Sequence, residues 1–200
     1  MPRKAESKLK EEIRILGFDD GAFTRRSVAP VPVIGVIYRG GKVLDGALTT
    51  SVAVDGMDAT EKIVKLINQS RHKQQLKVIM FDGITLAGFN VVDIKKINEE
   101  TGIPVIVFNR KHPNLSRVKK ALENFEDGEE RWKTILRAGK IKECCVQDFK
   151  KVYFQSIGMD EDKTKEVIKL STTRGYIPEP LRVAHLLATA IVRGESYGRA

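Results

Sequence analysis

The chain has 200 residues, 42% of them hydrophobic, which is enough for one packed domain and leaves two small ones as the alternative. Lys and Arg number 35 against 26 Asp and Glu, a net charge of +9 that fits a polyanionic partner or simply a solvated lysine-rich surface. Two adjacent cysteines, Cys144 and Cys145, exclude a disulfide framework and a CxxC pattern; the start has no secretory apolar stretch and no run is long enough to span a membrane, so a soluble protein of the reducing cytoplasm is expected.

Residues 12–19 read as a first strand. Val33 to Arg39 and Lys42 to Val54 are two β-rich runs joined at Gly40-Gly41, a hairpin signal. In DATEKIVKLINQS, Ile63, Leu66 and Ile67 fall at helical spacing, with Asp58 or Thr60 placed to cap the start. LKVIMFDG is nearly all apolar, the pattern of a strand buried on both faces. The helical FNVVDIKKINEETG stops at Gly102, and IPVIVFNR is another buried strand. LSRVKKALENF and EERWKTILRAG predict a helical pair, and KKVYFQSIG a last strand. DEDKTKEVIKLST and PLRVAHLLATAIVRG are both helical, the second opened by Pro180. The order predicts one α/β domain over residues 1–200: an antiparallel meander, then parallel βα units, with helices on both faces of a mixed sheet.

Ligands of such sheets bind outside the carboxyl ends of the strands. Asp19 closes the first strand in RILGFDDGAF, and Asp82 closes the fourth in VIMFDGITLAG. Between them, AVDGMDATEKI sets Asp55, Asp58 and Glu61 from the third strand's end into a helix start. Each motif taken alone is a polar turn. Together they are a set of hard oxygen donors for Mg²⁺ or Mn²⁺, the ions that neutralise close carboxylates and serve phosphodiester chemistry. Alternation along the first strand turns Asp20 to the side opposite Asp19.

These motifs resemble those of the endonuclease V superfamily on a ribonuclease H-like fold. They resemble most closely its archaeal endonuclease dU branch, first catalogued as a domain of unknown function, and the likeness runs across roughly residues 12–192. LGFDDG resembles the first-strand G-x-D segment and implies Asp19 as a metal ligand; FDGITLAGF resembles the D-G-x-G segment and implies Asp82. GIPVIVFNRKHPNL resembles the I-P-x-I-G-V-A-K segment, which implies Arg110 or Lys111 near a bound phosphate. YIPEPLRVAHLLA resembles the late P-E-P-x-R-x-A-H segment at Pro178, Glu179, Pro180, Arg182, Ala184 and His185. The resemblance implies a Mg²⁺- or Mn²⁺-dependent endonuclease for nucleic acid with a deaminated base, deoxyuridine in DNA being the expected lesion. The P-Y-x-P-G wedge and F-R-E glutamate of endonuclease V are replaced by VAVDGMDATEK, so Asp58 or Glu61 is left to complete the metal set, with Asp58 preferred. Gly158-Met159 stands where a late Gly-His pair is expected, and Asp160 or Asp162 is either a late carboxylate or a helix cap.

Arg25 and Arg26 are candidates for holding the nucleic-acid backbone, and Arg182 for a phosphate or a carbonyl network. His185, on a mostly apolar helix, reads as a hydrogen-bonded core histidine. Lys111 is the expected basic residue at the developing phosphate charge.

Overall fold

The computed structural model describes residues 10–24, 28–147 and 150–196. Seven strands form one mixed sheet: β1 (Arg14–Asp20), β2 (Val31–Arg39), β3 (Val43–Val52), β4 (Leu76–Asp82), β7 (Val105–Asn109), β8 (Lys142–Cys145) and β9 (Lys151–Ile157). Their spatial order is β3-β2-β1-β4-β7-β9-β8. A small hairpin, β5 (Thr85–Leu86) with β6 (Asn90–Val91), leaves the end of β4 and stands apart from the sheet.

The expected meander is present, with β1, β2 and β3 pairing antiparallel, and β1, β4 and β7 run parallel. The far side differs from the expectation. β9 runs antiparallel to β7, and the short edge strand β8 pairs antiparallel with β9. The return through α3 (Leu115–Leu122) and α4 (Gly128–Arg137) brings the chain into β8 running in the direction of β7, and the β8–β9 hairpin then reverses it.

Alternation divides the core between the two faces. Leu16, Phe18, Ile79, Phe81 and Val107 pack under α1 (Ala59–Gln69) and α2 (Ile94–Thr101), with the Phe18 and Phe81 rings stacked at 5.3 Å. Ile15, Val78, Met80, Ile106 and Phe108 pack on the other face with α5 (Glu161–Ser171) and α6 (Glu179–Arg193). Burying each such side chain contributes roughly 1.5–3 kcal/mol before the entropy of ordering is subtracted.

Two glycines set how closely the layers approach. A Cβ on Gly17 would lie 2.7 Å from the Pro180 carbonyl carbon, so the bare backbone of β1 lets the start of α6 lie directly on the sheet. Gly40 turns the β2–β3 hairpin with φ +53, a left-handed conformation, against the backbone oxygen of Glu11. From Gly17, α6 runs along β1 towards its carboxyl end, where Gly21 meets Ala188 and Val192.

Candidate metal centre

Asp19 and Asp82 are the same number of steps past paired residues, because Phe18 stands opposite Phe81 in the parallel β1–β4 register. Alternation sends both carboxylates to the α6 face, at the rim where β1 and β4 end. They line one open cleft of about 480 Å³ with Asp20, Arg110, His185 and Arg193.

Each acid has a cationic neighbour. His185 Nδ1 lies 2.7 Å from Asp19 Oδ2, and Arg110 Nη2 donates to Asp82 Oδ2 at 3.4 Å. Asp19 Oδ1 also accepts the Asp20 N–H at 2.9 Å. Burial pushes the Asp82 carboxyl up to about 6, the Asp19 charge adds to that, and Arg110 and His185 oppose it. The hydrogen bond to Asp19 raises the His185 imidazole above its ordinary value, against the effect of burial.

Alternation takes Asp20 to the opposite face of β1, yet its carboxylate still borders the cleft. Its Oδ2 accepts the Ala87 N–H at 3.1 Å, from the strained tip of the β5–β6 hairpin, where Ala87 has φ +46. Burial is the main reason its carboxyl is pushed up to about 7, followed by the Asp19 charge. Three acids thus meet at one rim, and two of them hold protons well above the usual carboxylate range.

Those donors fit a hard cation. Among the described residues no group of three or more His, Cys, Asp or Glu is arranged to hold a metal ion. Mg²⁺ does not require one: it keeps several waters and binds one or two carboxylates together with substrate phosphate. Asp19 and Asp82 are two carboxylates that border the same cleft.

The expected third acid lies elsewhere. Asp58 does not line the cleft; its carboxylate accepts from Asn90 Nδ2 at 2.6 Å and from the Ala53 N–H, and pairs with Lys62 at 2.6 Å. Burial works to raise its pKa, but these donors outweigh it and the carboxyl sits below the usual value. Asp58 is the N-cap residue of α1 but makes no side-chain cap bond. It ties the turn between β3 and α1 to β6. Glu61 is exposed and pairs with Lys96 at 3.7 Å. Asp160 caps α5 by accepting the Lys163 N–H, and neither it nor Asp162 borders the cleft.

Of the expected basic residues, Arg110 enters the cleft, while Lys111 lines a groove that adjoins it. Arg182 instead forks onto the buried Glu179, with Nη2 to Oε2 at 2.7 Å. Arg25 and Arg26 lie outside the described residues. His185 is the main residue that the sequence reading placed elsewhere: it is a cleft residue, with its side chain 29% exposed. His185, Thr189 and Arg193 recur at intervals of four and share the cleft face of α6 as a polar stripe.

A sequence profile of the endonuclease dU family matches residues 11–192. A UPF0215 protein of Methanothermobacter thermautotrophicus is 52% identical, over 96% of this chain and 94% of that protein. A UPF0215 protein of Methanosarcina mazei is 48% identical, over 96% and 97%. Among solved structures, a protein of unknown function from Archaeoglobus fulgidus superposes with a TM-score of 0.81 at 38% identity, over 90% of this chain and 99% of that one. Endonuclease V of Ciona intestinalis, solved with a DNA containing an inosine followed by a ribo-adenosine, gives a TM-score of 0.63 at 11% identity, over 94% and 90%; that likeness is one of fold, the ribonuclease H-like fold of endonuclease V. On the profile match and on close relatives along nearly its whole length, the chain belongs to the endonuclease dU family.

Proposed function

We propose that the protein is a Mg²⁺- or Mn²⁺-dependent endonuclease that hydrolyses a phosphodiester in nucleic acid carrying a deaminated base, with deoxyuridine in DNA as the lesion. The observation that carries this reading is the pair Asp19 and Asp82, abreast on adjacent parallel strands in a cleft that also holds Arg110 and His185. Family membership supports a nuclease, and the net charge of +9 suits an extended polyanion better than a mononucleotide.

Asp19 and Asp82 would hold the metal, with Asp20 rather than Asp58 as the third acid at the rim. When bound, the ion supplies a positive charge that neutralises these acids and draws phosphate oxygens to them. Arg110, held beside Asp82, offers guanidinium donors to the phosphate as negative charge builds on it. Asp19 fixes the His185 ring through Nδ1, which leaves Nε2 to take or give a proton at the reacting oxygen.

The test is a set of labelled oligonucleotides containing uracil, hypoxanthine or only normal bases, incubated with and without Mg²⁺ or Mn²⁺. Metal-dependent cleavage confined to the uracil substrate is expected. Equal cleavage of all three would remove the deaminated-base part of the reading. Binding without cleavage under any metal would mark a non-catalytic nucleic-acid module on this fold.

A further inference from the structure

A second groove, of about 790 Å³, opens beside the cleft and shares Asp82 and Arg110 with it. Asn109, Lys111, Lys150, Lys151 and Tyr176 complete its lining. The antiparallel course of β9 creates it: Asn109 at the end of β7 pairs with Tyr153, so the start of β9 lies at the rim where β1, β4 and β7 end. A parallel last strand would have put Lys150 and Lys151 at the opposite edge of the sheet.

These lysines are held in place. Gln147 Nε2 donates to Thr172 O at 3.0 Å and to Thr173 O at 2.9 Å, which fastens the end of β8 to the end of α5. Lys150 N donates to Gln147 O at 3.2 Å, and Lys150 Nζ sits 5.0 Å from the centroid of the Tyr176 ring. Lys151 pairs with Glu143 at 3.3 Å on the surface, with both side chains 58% exposed, so the ammonium stays open to a stronger anion. The lining of this groove therefore holds four cationic side chains and one carboxylate, Asp82.

We infer that this groove carries the phosphates of the cleaved strand on one side of the scissile bond, with Lys111, Lys150 and Lys151 as its backbone contacts. The inference rests on the nucleic-acid reading above and adds a location to it. Neighbouring strands lie about 4.8 Å apart, so the two steps from β4 to β9 cover about 10 Å, room for two or three phosphates. A mononucleotide in the cleft would not reach so far. The chemistry is that of charge neutralisation along a backbone, without sequence preference.

The test uses Lys150→Ala/Lys151→Ala, both at exposed positions, beside Lys65→Ala/Lys77→Ala, which removes the same charge from exposed sites that do not line the groove. Fluorescence anisotropy of metal-free protein with a single-stranded oligonucleotide is read across a salt series, and circular dichroism confirms the fold. The groove variant should bind several-fold more weakly, and its slope of log K against log salt should be shallower by about 1.4, the change for two lost phosphate contacts on a single strand. The control variant should keep the wild-type slope. Oligonucleotides truncated on one side of the lesion should erase the difference between groove variant and wild type, and those truncated on the other side should preserve it. If the wild type binds and cleaves but the groove variant matches it in affinity and slope, the groove inference fails while the nuclease reading stands. If the wild type binds no oligonucleotide, the nuclease reading itself fails.

Discussion

At Asp19, Asp20 and Asp82 three carboxylates crowd one strand rim, and in the absence of a cation the fold resists ionising all of them. Asp82 is raised to about 6 and Asp20 to about 7 from an ordinary value of 3.8, chiefly by burial. The folded protein therefore keeps protons that the unfolded chain has already released, and stability is lost as pH rises from about 4 through 7. His185, also raised, adds stability that is present below its ordinary value and lost as pH rises through the folded one. Asp45, lowered to about 2 by Arg39 and Arg14, loses its contribution only in strong acid. Metal-free protein should therefore melt at a lower temperature at pH 8 than at pH 5, and Asp20→Asn and Asp82→Asn should each flatten that slope. Added Mg²⁺ should raise the melting temperature most at pH 8. A melting temperature that climbs from pH 5 to 8 without metal would contradict this electrostatic picture. Asp58 makes the complementary case. Asp58→Ala should cost about 1–3 kcal/mol in urea denaturation, since Asn90 and Ala53 lose their acceptor, while cleavage survives. Loss of cleavage in a folded Asp58→Ala protein would return that residue to the site.

The elements that bring these residues together differ in how visible they are in the chain. β1, β4 and β7 are apolar runs ending in polar residues, so the strands and the acids that close β1 and β4 could be read directly. β8 escaped because KECC has only one buried residue, Cys144, and serves as an edge. The direction of β9 escaped because nothing local in KVYFQSI specifies its partner; α3, α4 and β8 must first be placed. The surroundings of Asp58 escaped for a related reason: one of its partners, Asn90, arrives from 32 residues away. His185 was hidden by the apolar periodicity of α6, although the His185, Thr189 and Arg193 stripe was present in the sequence. The position of that helix gives a direct test. Gly17→Ala would set a methyl against the Pro180 backbone and push α6 off β1. A stability loss of about 1–3 kcal/mol is expected from the overpacking, with a fall in turnover as His185 moves from Asp19. Wild-type stability and turnover in that variant would show that the close approach is not needed.

The whole molecule is a sheet whose ionisable residues gather along one rim. β1, β4 and β7 end there and β9 begins there, so acids, Arg110 and the groove lysines share one edge. Arg131, 4% exposed, reinforces it from below by donating to the carbonyls of Asp55, Gly56 and Phe89 while pairing with Asp127. It thereby locks the β3–α1 turn to the hairpin whose tip holds Asp20. Among the described residues no helix is long and apolar enough to cross a membrane. The net charge of +9 gives the molecule a field that draws in a polyanion, and binding should weaken linearly on a log–log plot of affinity against salt. The roles of Asp19 and Asp82 are tested by cleavage of a uracil-containing oligonucleotide by wild type, Asp19→Asn and Asp82→Asn across a Mn²⁺ titration, with circular dichroism on each. Both variants should keep the fold and lose cleavage at every metal concentration. Wild-type cleavage by a folded Asp82→Asn protein would contradict those roles.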